Sequence, residues 1–349
     1  MFINVICSNF FLIPMRNVSD IIQNTFSKKR IVIAGDMVAD QFLHGSIARV
    51  SREAPVFILR HEQTDTLAGG AANAAVNVAS LGGKPVLIGV TGDDENGRLL
   101  IDELRAQKVD CSFVVSSAQL RTTTKVRVLA GQQYAPRQQV IRIDYEDKAG
   151  IGPGLEEKLR ENLLAACAGA DAIIISDYNY GVANAGTVDL ARRISAEKGI
   201  PLLIDSRFRL KEFQNATSAT PNQEEVEQLL GKDFTAGGCE ALRETLGFEA
   251  LLVTCGNKGM ILAEKGKQPL YIDAVGSKEP VDVTGAGDTV IAVYSLALAS
   301  GLDFAEAARL ANHAGGIVVM KKGTAFVEPG ELLDSIDAEP KFNVSDAGN

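Results

Sequence analysis

The sequence predicts an α/β protein with a mostly parallel, doubly wound sheet and a small antiparallel β lid. Three observations carry this. Short apolar runs recur, each closing on a polar or glycine cluster: "IVIAGD" (31–36), "PVLIGVTGDD" (85–94), "DAIIISDY" (171–178), "PLLIDSR" (201–207) and "ALLVTCG" (250–256). Helical stretches alternate with them at 70–82, 95–108, 155–170, 183–198, 223–230 and 239–247. Two segments inside that series, 43–68 and 120–146, instead alternate apolar with polar residues.

Each pattern has a physical reading. Unalternated β-branched runs fit strands buried on both faces, as in a parallel sheet covered by helices. Regular β–α alternation is the sign of such layers. The alternating segments "APVFILRHEQTDTLA" and "TTTKVRVLAGQQYAPRQQVIRIDYED" fit a half-exposed antiparallel sheet. Ligands bind beyond the carboxyl ends of strands in these folds. Those ends supply Asp36, Asp93, Asp177, Asp205 and Asn222, although each alone could be a turn residue. A lid over them suits a reaction from which water must be kept.

Composition narrows the partners. A net charge of −9, no tryptophan and few aromatics disfavour nucleic acid and anionic membrane surfaces. Five scattered cysteines without CxxC spacing read as reduced thiols of a cytoplasmic protein. His44, His61 and His313 form no metal-ligand cluster. The apolar start "MFINVICSNFFLIP" lacks a charged n-region and is too short to span a bilayer. Residues 1–28 read as an extension ending in a helix, with Met15 an alternative start, and 336–349 as a loose polar tail.

Two glycine-rich motifs carry the chemistry. In "VDVTGAGDTVIAVYSLALASG" (281–301), Gly285, Ala286, Gly287 and Asp288 precede a long apolar helix. Asp288 at a helix N-terminus is either an N-cap or a base at the lip of an anion hole, because free amides and the helix dipole gather there. In "AGGAANAAVNVASLGG" (68–83), Gly69 and Gly70 allow close backbone approach and Asn73 offers a donor and an acceptor. As pure structure, that stretch is a tightly packed helix. GxxxxGK[ST] is absent, and Val290 stands where the third glycine of GxGxxG belongs, which disfavours a nicotinamide dehydrogenase.

Taken together, Gly69–Gly70…Asn73 and Asp282…Gly285-Ala286-Gly287-Asp288 resemble the paired signatures of the ribokinase-type (PfkB) carbohydrate kinases. The similarity runs from about Ile31 to Leu333 and implies a ribokinase-like three-layer α/β/α fold, with a kinase domain over 29–335. It extends toward the D-glycero-β-D-manno-heptose 7-phosphate kinases through "GDMVADQFLHGSIARVSREAPVFIL", "QQVIRIDYED", "ISDYNYGV" and "TPNQEEVEQLLG". Departures are an insertion near "GQQYA" (131–135), "DSRF" for a DPK-type segment, and "YNYG" for a lysine-bearing YxKG. The sequence has no HxGH segment of the adenylyltransferase kind.

The resemblance implies an ATP- and Mg²⁺-dependent sugar kinase. Asp288 matches the catalytic base, with the 285–288 amides as anion hole. Asp40 matches the sugar-binding aspartate, beside Asp36, Gly69, Gly70 and Asn73. Asn222 and Glu225 match the NxxE motif that organises Mg²⁺ through water, and Thr254, Gly256, Gly259 and Asn312 match nucleotide-binding positions. Asp282, Thr284, Val318, Lys321 and Gly323 match a monovalent-cation (K⁺) loop. The substrate expected is a small sugar or sugar phosphate. Arg142, with Arg49, Arg52, Lys125 and Arg127, could hold its phosphate or merely form a solvated lid face. A homodimer through the lid is expected from Val56, Ile58, Val126, Val128, Val140 and Ile141; the alternative is a monomer. A nucleoside kinase of the same fold and a catalytically idle sugar sensor are the competing functions.

Overall fold

A computed structural model describes residues 18–131, 137–147, 150–277 and 279–338. The expectations for 1–14, Met15, most of "GQQYA" and the last eleven residues lie outside these. The chain opens with helical turns, α1 (Val18–Asp20) running into Ile21–Thr25 and Phe26–Lys28. There follow β1 (Arg30–Gly35), β2 (Met37–Val50), β3 (Phe57–Gly70), α2 (Ala71–Ser80), β4 (Lys84–Ile88), β5 (Val90–Gly92), α3 (Glu95–Ala106), β6 (Val115–Ser117), β7 (Thr124–Gly131) and β8 (Gln138–Tyr145). The second half holds α4 (Pro153–Ala166), β9 (Ala172–Asp177), α5 (Ala185–Lys198), β10 (Leu202–Ser206), β11 (Ser218–Ala219), α6 (Gln223–Leu230), α7 (Ala236–Leu246) and β12 (Ala250–Thr254). It closes with β13 (Met260–Glu264), β14 (Leu270–Ile272), α8 (Ala286–Ala299), α9 (Phe304–Val318) and α10 (Pro329–Asp337).

The main sheet has the order β14-β13-β12-β11-β10-β9-β1-β4. It is parallel from β4 to β12, and β13 and β14 add an antiparallel edge. β1 and β9 are almost wholly buried, as continuous apolar strands between two helical layers must be. One core, with α2, α8 and α9, covers one face; the other, with α4, α5 and α7, covers the opposite face. Helix α8 is buried nearly all round, which explains why its sequence is apolar without a polar stripe.

The lid is a second sheet, β3-β2-β7-β8. It consists of two antiparallel hairpins joined by a parallel β2–β7 pairing that the alternation pattern does not foretell. Its attachment positions the cleft. Only Asp36 separates β1 from β2, and β3 runs straight into α2 at Gly70. Gly70 has φ +60, and a Cβ there would lie 2.6 Å from the Asp36 carbonyl oxygen, so this junction requires glycine. The lid therefore grows directly out of the carboxyl edge of the main sheet.

Residues 18–28 are not a detached extension. Val18, Ile22 and Phe26 enter the core shared with α2 and α8, with Phe26 fully buried. Phe26→Ala should lower the unfolding free energy in urea by about 3–5 kcal/mol. A loss below about 1 kcal/mol would mean that this segment is dispensable to the core.

Candidate active site

The carboxyl ends of β9, β10, β11 and β12 meet the first turn of α8 and the inner side of the lid around a cavity of about 320 Å³. Its lining includes Asp40, Gly70, Asp205, Glu225, Thr254 and Asp288. Gly285, Gly287, Thr284 and Arg142 line it too. Residues 250 positions apart in sequence thus share one wall.

Asp288 is in the first turn of α8, but it is not a cap. The helix begins after Gly285 (φ +78), whose place at the N-cap leaves Asp288 inside the turn. A Cβ on Gly285 would lie 2.5 Å from Asn73 Nδ2, so both the turn and the close approach need glycine. The Asp288 carboxylate is 3% exposed. Asn73 Nδ2 donates to Oδ2 at 2.8 Å, and the Tyr178 hydroxyl donates to Oδ1 at 2.9 Å. Burial and then the charge of Asp205 push its pKa up to about 7, against the pull of those two donors. Beside it, Ala286 N donates to the Val283 carbonyl oxygen at 3.3 Å, and the space in front of Gly287 is open.

Asp40 on β2 is also buried and accepts from Arg127 Nη1 at 2.6 Å. Burial raises its pKa, and the Arg127 charge opposes the rise. Gly69 permits this arrangement, since a Cβ there would sit 2.5 Å from Asp40 Oδ2. Asp36 goes elsewhere. Its carboxylate accepts from the amides of Tyr178, Tyr180 and Val182 and does not line the cavity. It is the anion that gathers the loop after β9, so the expectation that it touches substrate is corrected. Of the other strand-end candidates, Asp93 turns outward to Arg98, and Asp177 lines the cavity while accepting from Ser206 Oγ and Arg209.

At the other end of the cavity, Asn222 and Glu225 form a capping box on α6. Glu225 N donates to Asn222 Oδ1, and Asn222 N donates to Glu225 Oε2, both at 2.9 Å. The pair caps α6 while both residues still line the cavity. Burial lifts Glu225 to about 7, and burial with the charge of Glu225 lifts Asp205 to about 7. Thr220 Oγ1 is buried there and has no hydrogen-bond partner among the described residues. These donors suit a hard cation that keeps much of its water. Gly256 and Gly259 form the turn after β12, and Asn312 Nδ2 donates to the Asp273 carbonyl oxygen. None of these three lines the cavity.

The Asp282 carboxylate accepts from Thr284 N at 3.0 Å and Gly323 N at 2.9 Å. Burial works against its charge, but these donors hold its pKa below the ordinary range. Val318 is buried at the end of α9, and Lys321 turns away to Phe326 O and Glu331. On the lid, Lys125, Arg127 and Arg142 line the cavity, whereas Arg49 and Arg52 do not. Arg127 is committed to Asp40 and Arg142 to Asp144.

Sequence reasoning missed Tyr178 and Arg207, which both line the cavity. Arg207 was signalled by the departure "DSRF" after β10, whereas Tyr178 is the tyrosine that "YNYG" shares with YxKG. Arg207 stands one position past the end of β10 and lies 6.0 Å from the Tyr178 ring centroid.

The family model described as "pfkB family carbohydrate kinase" matches residues 30–330. Bifunctional protein HldE of Aeromonas salmonicida is 39% identical over 322 residues, covering 90% of this chain and 65% of that protein. HldE of Koribacter versatilis is 37% identical over 93% of this chain and 67% of its own length. The chain spans about 65% of the length of the first of these curated relatives. Among solved structures, Arabidopsis thaliana ribokinase complexed with ribose and ATP superposes with TM-score 0.67 at 22% identity, over 90% of this chain and 99% of that one. Escherichia coli phosphofructokinase-2 in complex with substrates and products gives 0.71 at 18%, over 88% and 98%. Fold, paired glycine motifs and family match agree: the chain belongs to the pfkB family of carbohydrate kinases.

Proposed function

We propose that the protein transfers the γ-phosphate of ATP to the anomeric hydroxyl of D-glycero-D-manno-heptose 7-phosphate, with Asp288 as general base. One observation carries the base: a desolvated carboxylate shares a cavity with Gly285 and Gly287 at the helix terminus and with Asp40. An acceptor hydroxyl held by Asp40, Gly70 and Asn73 would lose its proton to Asp288 as it attacks. The α8 amides would take the charge that develops on the transferring phosphoryl group. The heptose phosphate itself is supported by the identity to the HldE proteins.

ATP would enter from the β12 side, along Asn222, Thr254, Gly256, Gly259 and Asn312. Glu225 would hold Mg²⁺ through water, with Asp205 beside it. When bound, Mg²⁺ neutralises phosphate charge. Asp282, Thr284 and the backbone at Val318, Lys321 and Gly323 form the candidate K⁺ loop. Among the described residues, Lys125 and Arg207 are the cavity cations without a hydrogen-bonded carboxylate, and they suit the distal phosphate of the sugar. A second reading, another sugar or nucleoside kinase of the family, is favoured by Tyr180 at the usual lysine position of YxKG. We place the reaction in the cytoplasm, where ATP is abundant. Among the described residues, no helix is long and apolar enough to cross a membrane.

The lid is also the proposed dimer surface. All of β8 is exposed, and Val140, Ile141, Ile143 and Tyr145 lie on this sheet edge. Of the other apolar lid residues, Val56 is exposed, Ile58 and Val126 are half-buried, and Val128 is buried. An unpaired apolar edge of this kind invites another strand.

Asp288→Asn should retain ATP binding while turnover falls by about two or more orders of magnitude. Near-normal turnover would remove its assigned role. Because the folded-state pKa is raised, the base is ionised only above about 7, so wild-type turnover should climb as pH rises through that value and fade below it. A profile flat from pH 5 to 8 would contradict this. In a panel of free and phosphorylated sugars assayed by ADP release, heptose 7-phosphate should lead; preference for adenosine or free ribose overturns the assignment. Light scattering should give twice the chain mass of 37.1 kDa, and a stable single-chain mass would rule the dimer out.

A further inference from the structure

We infer that Tyr178 is a positioning residue for the reaction, a fixed donor that holds the Asp288 carboxylate in one orientation from the side opposite Asn73. The inference rests on the reading of Asp288 as base. The two Asp288 oxygens are held from two different elements, Oδ2 by Asn73 on α2 and Oδ1 by the Tyr178 hydroxyl from the loop after β9. With a donor on each oxygen, rotation of the carboxylate about its Cβ–Cγ bond breaks both hydrogen bonds. Each carboxylate oxygen has a second lone pair, so an acceptor hydroxyl can still be engaged.

Tyr178 is itself fixed at several points. Its amide donates to Asp36 Oδ2 at 2.9 Å, which ties the start of the loop to the strand end at β1. The Lys125 ammonium lies 5.5 Å from its ring centroid and the Arg207 guanidinium 6.0 Å. Gly70 packs so closely that a Cβ there would come within 3.3 Å of the ring. The phenol therefore has little freedom to swing away. Burial and the adjacent Asp288 charge push its own pKa well above the ordinary phenol range, so it stays protonated and can serve the ionised carboxylate only as a donor. This also gives Asp36 a purpose: its three backbone contacts shape the loop that aims the phenol.

The hydroxyl acts against the surrounding charges. Asp205 and Asp40 face Asp288 and disfavour its ionised form, while Asn73 and Tyr178 favour it. Glu225 from α6, Lys125, Arg127 and Arg142 from the lid, and Arg207 after β10 line the same cavity. Losing the phenol donor leaves the ionised base less stabilised, so its proton affinity rises.

Tyr178→Phe keeps the ring and both cation contacts and removes only the donor. The test is a ¹³C NMR titration of aspartate carboxyls in the full ligand-free chain, with the Asp288 resonance identified by its absence in Asp288→Asn. The midpoint should move upward by about one pH unit in Tyr178→Phe. With ATP and heptose 7-phosphate at pH 7, kcat should fall about tenfold or more while both KM values stay within about twofold, as for a contact that matters to the reacting geometry. Part of that loss should recover at pH 9, where the base is ionised in both proteins. An unchanged Asp288 midpoint, or a loss confined to KM, overturns the inference. A wild type that accepts no heptose phosphate sinks the substrate assignment, while the titration still decides the contact.

Discussion

The cleft is organised around a carboxylate that water scarcely reaches. Leaving Asp288 buried and ionised without donors would be unfavourable by several kcal/mol, of the order of about 3–5. Asn73, Tyr178 and the first turn of α8 supply what water does not. Each comes from a different element: α2 follows the lid, Tyr178 follows β9, and α8 packs against α2 and the main sheet. Holding one charged group in place thus requires the lid junction, the sheet edge and the buried helix to be in register.

The same constraint explains the glycines and the second aspartate. Gly285 and Gly70 are the points where a Cβ would collide with the groups that hold Asp288 or shape its loop. Asp36 is buried as deeply as Asp288, yet it is spent on backbone amides, so its charge serves architecture. Asp40 on β2 is paired with Arg127 on β7, which ties the two lid hairpins together beside the cavity. Asp205 and Glu225 form no ion pair among the described residues; burial raises both to about 7 against the opposing charge of Arg207, which suits a place awaiting positive charge.

Much of the fold was legible because its signals are local. Runs such as "AIIIS" and "LLI" can hardly be anything but strands covered on both faces, and "GAGD" before an apolar helix marks an anion-seeking terminus. What was not legible depends on distance in sequence. The partner of Asp36 lies more than 140 residues away, and Tyr178 reaches a carboxylate 110 residues later. No periodicity encodes either contact. The β2–β7 pairing is parallel because two hairpins meet side by side, a register set by packing and not by alternation. Asp93 looked like a strand-end ligand by composition, but the turn into α3 faces it outward to Arg98.

The proposed phosphoryl transfer runs between the α8 terminus and an acceptor hydroxyl beside Asp288. A crystal structure with Mg²⁺, a non-hydrolysable ATP analogue and the accepted sugar tests this most directly. The acceptor oxygen should lie within roughly 2.6–3.2 Å of an Asp288 carboxylate oxygen, with the γ-phosphate against the 285–287 amides. A γ-phosphate bound away from that helix terminus, or an acceptor hydroxyl turned from Asp288, would contradict it.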